Sequence, residues 1–217
     1  MVERGACVTR RLLALALLTA PLIGAHQAPE RTAMTFFVTS TGRGFGGDLG
    51  GLRGADAQCQ RLAQAAGAAN HSWRAYLSAP ATGDQPAVNA RDRIGRGPWF
   101  NALGIEIASS VAELHSEASK LNRETATSEK GTVIAPGRHD ILTGSNVDGT
   151  LSRDAADTTC NGWTSHGSGS AMLGHSNQYG GGVRPTSWNS AHPSRGCSQD
   201  ALRASLGDGL FYCFAAE

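Results

Sequence analysis

The hydrophobic positions of this chain fall into short groups of differing period, separated by glycine-rich polar stretches. Near the start, Leu12 to Leu18 form an unbroken apolar run, with Arg4, Arg10 and Arg11 before it and Gly24, Ala25 and Ala28 after it. A basic segment, a short apolar core and small residues predict a secretory signal over residues 1–28, and the run is too short to span a bilayer. The compact β-prone run Met34-Thr35-Phe36-Phe37-Val38-Thr39 predicts a first strand. Ala55, Cys59, Leu62, Ala63 and Ala66 recur at helical spacing, which predicts a helix over 55–66 stopped by Gly67. Trp73, Ala75 and Leu77 alternate with Arg74, Tyr76 and Ser78, as on one face of a strand. Ser110 and Glu113 read as a capping box opening a short helix that reaches His115. The polar stretch 117–138 predicts an irregular excursion, and Gly209 to Phe214 reads as a buried closing strand. These elements predict one α+β domain over residues 34–217, with short mixed strands, one main early helix and long loops.

Composition narrows the functional classes. The formal net charge is +1, and loss of a leader carrying Arg4, Arg10, Arg11 and Glu3 lowers it by two. Such a chain has no overall field to attract nucleic acid or an anionic membrane. No nucleic-acid partner and no membrane span in the mature chain are therefore expected. With 28 glycines and few aromatics, loops must cover much of the surface. The run Gly42-Arg43-Gly44-Phe45-Gly46-Gly47 matches a dinucleotide-binding fingerprint in letter only. That fingerprint needs a helix opening within the glycines. Gly50, Gly51 and Gly54 follow instead, so the pattern predicts a loop, with no helix before about Ala55.

Cys7 precedes the apolar core and leaves with the signal, so Cys59, Cys160, Cys197 and Cys213 remain. An even count in an exported chain predicts a disulfide framework, with three connectivities open. Asn146, Asp148, Asp154 and Asp157 lie within one short stretch and offer oxygen ligands for calcium, although without EF-hand spacing. The stretch His166-Gly167-Ser168-Gly169-Ser170-Ala171 is like the stem of some zinc peptidases, but Leu173 occupies the position of the required aspartate. His175 is a second nitrogen donor there, and two histidines without a carboxylate make an incomplete zinc site. His115 with Glu113 and Glu117 is an equally loose set. Trp163 and Trp188 are candidates for stacking on sugar rings, set against an alternative role as core residues. No nucleophile elbow of the Gly-x-Ser-x-Gly kind is present, and no residue is assigned a catalytic role.

The segments Gly54-Ala55-Asp56-Ala57-Gln58-Cys59, Ala65-Ala66-Gly67 and Trp73-Arg74-Ala75-Tyr76-Leu77-Ser78 resemble the opening of the endostatin domain of collagens. Leu142-Thr143-Gly144-Ser145, Cys160, Trp163, Cys197 and Cys213 follow in that domain's order. Endostatin is a variant of the C-type lectin-like fold, and the chain is also similar to secreted bacterial proteins labelled lectins. The resemblance covers about Met34 to Phe214. It implies a C-type lectin-like fold with two nested disulfides, Cys59–Cys213 outside and Cys160–Cys197 inside. It also implies a secreted or periplasmic, non-enzymatic binding domain whose partner is a glycan or, alternatively, an extracellular protein; an uncharacterised hydrolase is the third class. Trp188-Asn189 matches two positions of the calcium- and sugar-binding triplet of such lectins, with Ser190 in place of the carboxylate. Arg74 maps onto an arginine associated with heparin binding. Calcium is the cofactor this resemblance brings, and the loss of a charged oxygen at Ser190 weakens that site.

Overall fold

The computed structural model describes residues 1–2, 33–154, 157–178 and 186–216, so nearly all of the predicted secretory signal lies outside the described residues. In chain order, β1 (Phe36–Val38) leads through the glycine-rich loop to α1 (Gly51–Ala65) and β2 (Trp73–Ala75). A hairpin of β3 (Trp99–Phe100) and β4 (Glu106–Ala108) and the one-turn helix α2 (Val111–Leu114) come next. β5 (Asp140–Leu142), the short turn α3 (Cys160–Trp163), β6 (Met172–His175) and β7 (His192–Pro193) precede α4 (Gln199–Ala204) and the closing strand β8 (Gly207–Ala215).

β8 organises the main sheet. β1 runs antiparallel along one of its edges, with Phe37 opposite Cys213. The other edge is shared: β5 lies parallel beside the first half of β8, and β2 antiparallel beside the second. β6 then adds to β5 and β7 to β6, both antiparallel, which gives six strands. Alternation along β8 sends Phe211 and Cys213 into a core under α1, and Leu210, Tyr212 and Phe214 into a second core on the opposite face. Both faces are covered, and for this reason the predicted closing strand reads as a continuous apolar run.

The expected helix is present, but it begins at Gly51, four residues before Ala55. Gly54 does not break it. A Cβ at Gly54 would stand 2.1 Å from the carbonyl oxygen of Leu49, so glycine is needed there for a close approach. Gly46 (φ +59°) and Gly47 have the same function against another partner. Their Cβ atoms would lie 2.1 Å from the Cys197 carbonyl oxygen and 2.5 Å from the Cys160 sulfur. The glycine run therefore seats its backbone on a disulfide. Cys59 pairs with Cys213 and Cys160 with Cys197, the nested connectivity. The stretch 117–138 is irregular, as its polarity predicts, but it is tied to β1. Val38 N–H donates to Thr127 O (2.9 Å), and the Glu129 carboxylate accepts from Ser40 N–H (3.0 Å) and its hydroxyl (2.6 Å). The capping box forms in modified shape: Ser110 Oγ accepts from Glu113 N–H (3.2 Å), while the Glu113 carboxylate turns back to Ser109.

Candidate metal centre

The face of the sheet that carries Leu142 and Leu173 into the α1 core continues, one pair further along, with Asp140 and His175. These two are direct partners across the β5–β6 ladder. A two-residue period places Asp140 with Leu142 and His175 with Leu173, so the apolar layer ends in a carboxylate facing an imidazole. His139 precedes β5, and His192 opens β7 opposite Leu173. Asp140 is 2% exposed, His139 15%, His175 14% and His192 41%.

The separations between these groups are those of close ion pairs and also those of ligands sharing one ion. His139 Nε2 lies 3.2 Å and His175 Nε2 3.3 Å from the same Asp140 Oδ1, and His192 Nε2 lies 3.4 Å from Oδ2. N–H···O bonds centre near 2.9 Å. Two ligands of a tetrahedral ion with bonds of about 2.0–2.1 Å stand about 3.3–3.4 Å apart. Donor atoms of His139, Asp140 and His175 all lie within 4.8 Å of one another. Asp140 Oδ1 and both ring nitrogens of His175 are buried and make no hydrogen bond among the described residues. Buried polar atoms without partners are rare and costly, so Asp140 Oδ1 and the facing His175 Nε2 point to an occupant between them; an ion takes one nitrogen of an imidazole, and His175 Nδ1 is not served by it.

The outer nitrogens of His139 and His192 are engaged, whereas that of His175 is not. His139 Nδ1–H donates to the Pro136 carbonyl, and His192 Nδ1–H donates to the Pro193 carbonyl at 3.1 Å. With Nδ1 holding the proton, each Nε2 lone pair is free for the cluster, which is the outer-shell arrangement that orients metal-binding histidines. Burial raises the Asp140 pKa to about 6, against the pull of His192 and His139. Burial, with the charges of His192 and His139, lowers His175 to about 4. Near neutral pH Asp140 is therefore ionised and His175 neutral, and both are in ligating form. A cavity of about 400 Å³ borders the cluster and is lined also by Arg195, Ser205 and Leu206.

Comparison of the chain with models of known protein families and with curated proteins finds no match.

The residues picked out from sequence lie elsewhere. Trp163 and Trp188 are fully buried, their indole N–H groups donating to Ser78 O (2.7 Å) and Leu114 O (3.1 Å). Their ring faces are packed in the two cores and offer nothing to a sugar. Asn189 is fully buried as well. Arg74 is half exposed, but its guanidinium is paired with Asp56 at 2.9 Å. The structure does not bring Asp148, Asp154 and Asp157 together as a ligand set among the described residues. Asp148 instead accepts from Thr150 N–H (3.0 Å), Asp157 from Thr159 N–H (2.9 Å), and Asn146 donates to Leu151 O (3.1 Å). Asp148, Asp157 and Asn146 thus close turns. His166 sits on the surface 3.7 Å from Asp48, apart from the cluster. His115 is covered by Tyr76, and Glu113 turns to Ser109, so that triad does not assemble.

Of the cluster, only His175 stands out in the sequence as a candidate ligand, and no carboxylate beside it along the chain completes a set. Asp140 was missed because its partner lies 35 positions away and is set by register. The available signal was His139-Asp140 abutting Ile141-Leu142, two ionisable groups at the mouth of a buried strand.

Proposed function

We propose that this chain is an exported, non-enzymatic binding domain of C-type lectin-like architecture that holds a zinc-type ion through His139, Asp140 and His175. The observation that carries the metal reading is the 3.2–3.3 Å approach of two imidazole nitrogens to one buried carboxylate oxygen with no hydrogen bond to account for it. A nitrogen-rich donor set with one carboxylate suits zinc and its neighbours better than calcium, which takes oxygen ligands. The architectural reading is supported by the pairing of the first and last strands, and by disulfides that join α1 to β8 and pin the inner loop. Two disulfides also favour an oxidising compartment. The ligand class carried by the resemblance is a glycan, with an extracellular protein as the alternative.

The metal reading is tested on purified, chelator-stripped protein by titration with zinc against a chromophoric chelator. One equivalent should bind, and His175→Ala and Asp140→Asn should each lower the affinity by at least about 100-fold, since each removes an inner ligand whose outer-shell neighbours alone are worth 10–100-fold. Binding that is absent, or unaltered in both variants, defeats the proposal.

A further inference from the structure

His139, Asp140 and His175 supply three donor atoms in mutual reach, one fewer than a four-coordinate ion takes. Among the described residues His192 is a further nitrogen beside the cluster, but it stands against the other carboxylate oxygen, Oδ2, at 3.4 Å and falls outside the mutually close set. It is also the most exposed of the four groups, at 41%. The cavity of about 400 Å³ borders this side, and Arg195 lies on its wall with an exposed side chain. Zinc with two neutral imidazoles and one carboxylate keeps a charge of about +1, and Arg195 brings a second positive charge to the lining of the same cavity.

Resting on the proposed metal reading, we infer that the ion's fourth position opens into this cavity and binds the carboxylate of an external ligand, with Arg195 as its second grip. An oxygen of the carboxylate enters the position otherwise held by water, and the planar guanidinium donates to the other oxygen in the geometry that suits carboxylates. His192, on the rim, has its Nδ1–H committed to the Pro193 carbonyl, so its Nε2 can accept a hydrogen bond from a water in the cavity without being a ligand. Two extracellular chemistries share this handle: the uronate of an acidic glycan and the C-terminal carboxylate of a protein chain.

The experiment uses the intact mature chain loaded with cobalt(II), whose visible absorption reports its coordination shell. Acetate is the first probe, followed by glucuronic acid and by a short peptide with either a free or an amidated C-terminus. Saturable change of the cobalt bands is expected with acetate and with at least one of the other two carboxylates, and none with the amidated peptide. Arg195→Ala should retain cobalt but weaken carboxylate binding about tenfold, as expected for losing a hydrogen bond to a charged group. His192→Ala should retain cobalt within about threefold of the parent affinity, well below the 10–100-fold attributed to groups that support a metal ligand. A greater response to glucuronic acid or to the free peptide assigns the source. Cobalt bands that ignore every carboxylate, together with a loss of cobalt affinity of about 100-fold in His192→Ala, would show a closed site with His192 as fourth ligand; the inference then fails while the metal reading stands. Failure to bind cobalt or zinc at all removes the metal reading itself, and this inference with it.

Discussion

Asn189 donates from its amide to the hydroxyl of Tyr76 (2.8 Å) and to the carbonyls of Asn146 (3.0 Å) and Val147 (3.1 Å), while its oxygen accepts from the Ser187 hydroxyl (2.7 Å). A residue that in sequence resembles part of a sugar site is here an internal tie between β2's extension and the turn at 146–148. Tyr76 passes the chain on, its hydroxyl 2.7 Å from His115 Nε2, and His115 Nδ1–H donates to Val111 O (2.8 Å). Every group is satisfied when His115 is neutral. Burial lowers its pKa, reinforced by Arg91 and opposed by the Val111 hydrogen bond and Asp148. The unfolded chain therefore takes up a proton below about pH 6.5 that the folded one resists, so this stability is present above that pH and is lost as pH falls. In chelator-treated protein, the denaturation midpoint should drop between pH 7 and pH 5, with a shallower slope in His115→Gln. An identical slope in that variant would remove His115 from the account. His175 adds a loss of the same sign over about pH 6.5 to 4, and Asp140 partly offsets it, because its raised pKa favours the folded state as pH falls from about 6.

At the scale of elements, the inner disulfide does more than close a loop. Cys160 lies in α3, where Cys160, Asn161, Gly162 and Trp163 all adopt left-handed backbone angles, and Gly47 packs on its sulfur. The bridge thus holds the glycine loop, α3 and the segment entering α4 at one point. Its 37-residue separation corresponds to about 4 kcal/mol in the chain-entropy treatment. Replacing Cys160 and Cys197 together by serine should cost about 3–4 kcal/mol by urea denaturation, with the outer bridge still intact by non-reducing mass. A cost below about 1 kcal/mol would mean that glycine packing and the β8 ladder hold this region without it. β7 is the weak edge of the sheet. It is two residues long and contains Pro193, which suits an edge strand, and it carries His192 to the rim of the cluster.

For the whole molecule, the candidate ion would act as a third staple, binding the start of β5 to the end of β6 where the hydrophobic layer stops. A ligand that binds only the folded chain stabilises it by about 2.7 kcal/mol at a hundred times its Kd. For a domain of this size that corresponds to a rise in Tm of roughly 5–10 °C. Zinc should give that rise, a chelator should reverse it, and His175→Ala should abolish it; an equal rise in the variant would point to binding elsewhere. Among the described residues, no helix is long and apolar enough to cross a membrane.

Local pattern was enough for what depends on near neighbours in the chain. The α1 face bearing Cys59, the apolar closing strand bearing Cys213 and the capping serine of α2 are legible because helix and strand periods repeat over a few residues. Pattern also showed an even set of cysteines, although not by itself how they pair. The tertiary structure decided which polar residues are interior fasteners and which converge. Trp188-Asn189, Asn146, Asp148 and Asp157 are engaged in packing and hydrogen bonds. His139, Asp140, His175 and His192 share no sequence spacing, and only the order and register of β5, β6 and β7 bring their side chains together. Periodicity records which face a residue takes, but a site assembled across strands depends on which strands become neighbours, and that is set by burial of the whole sheet on both of its faces.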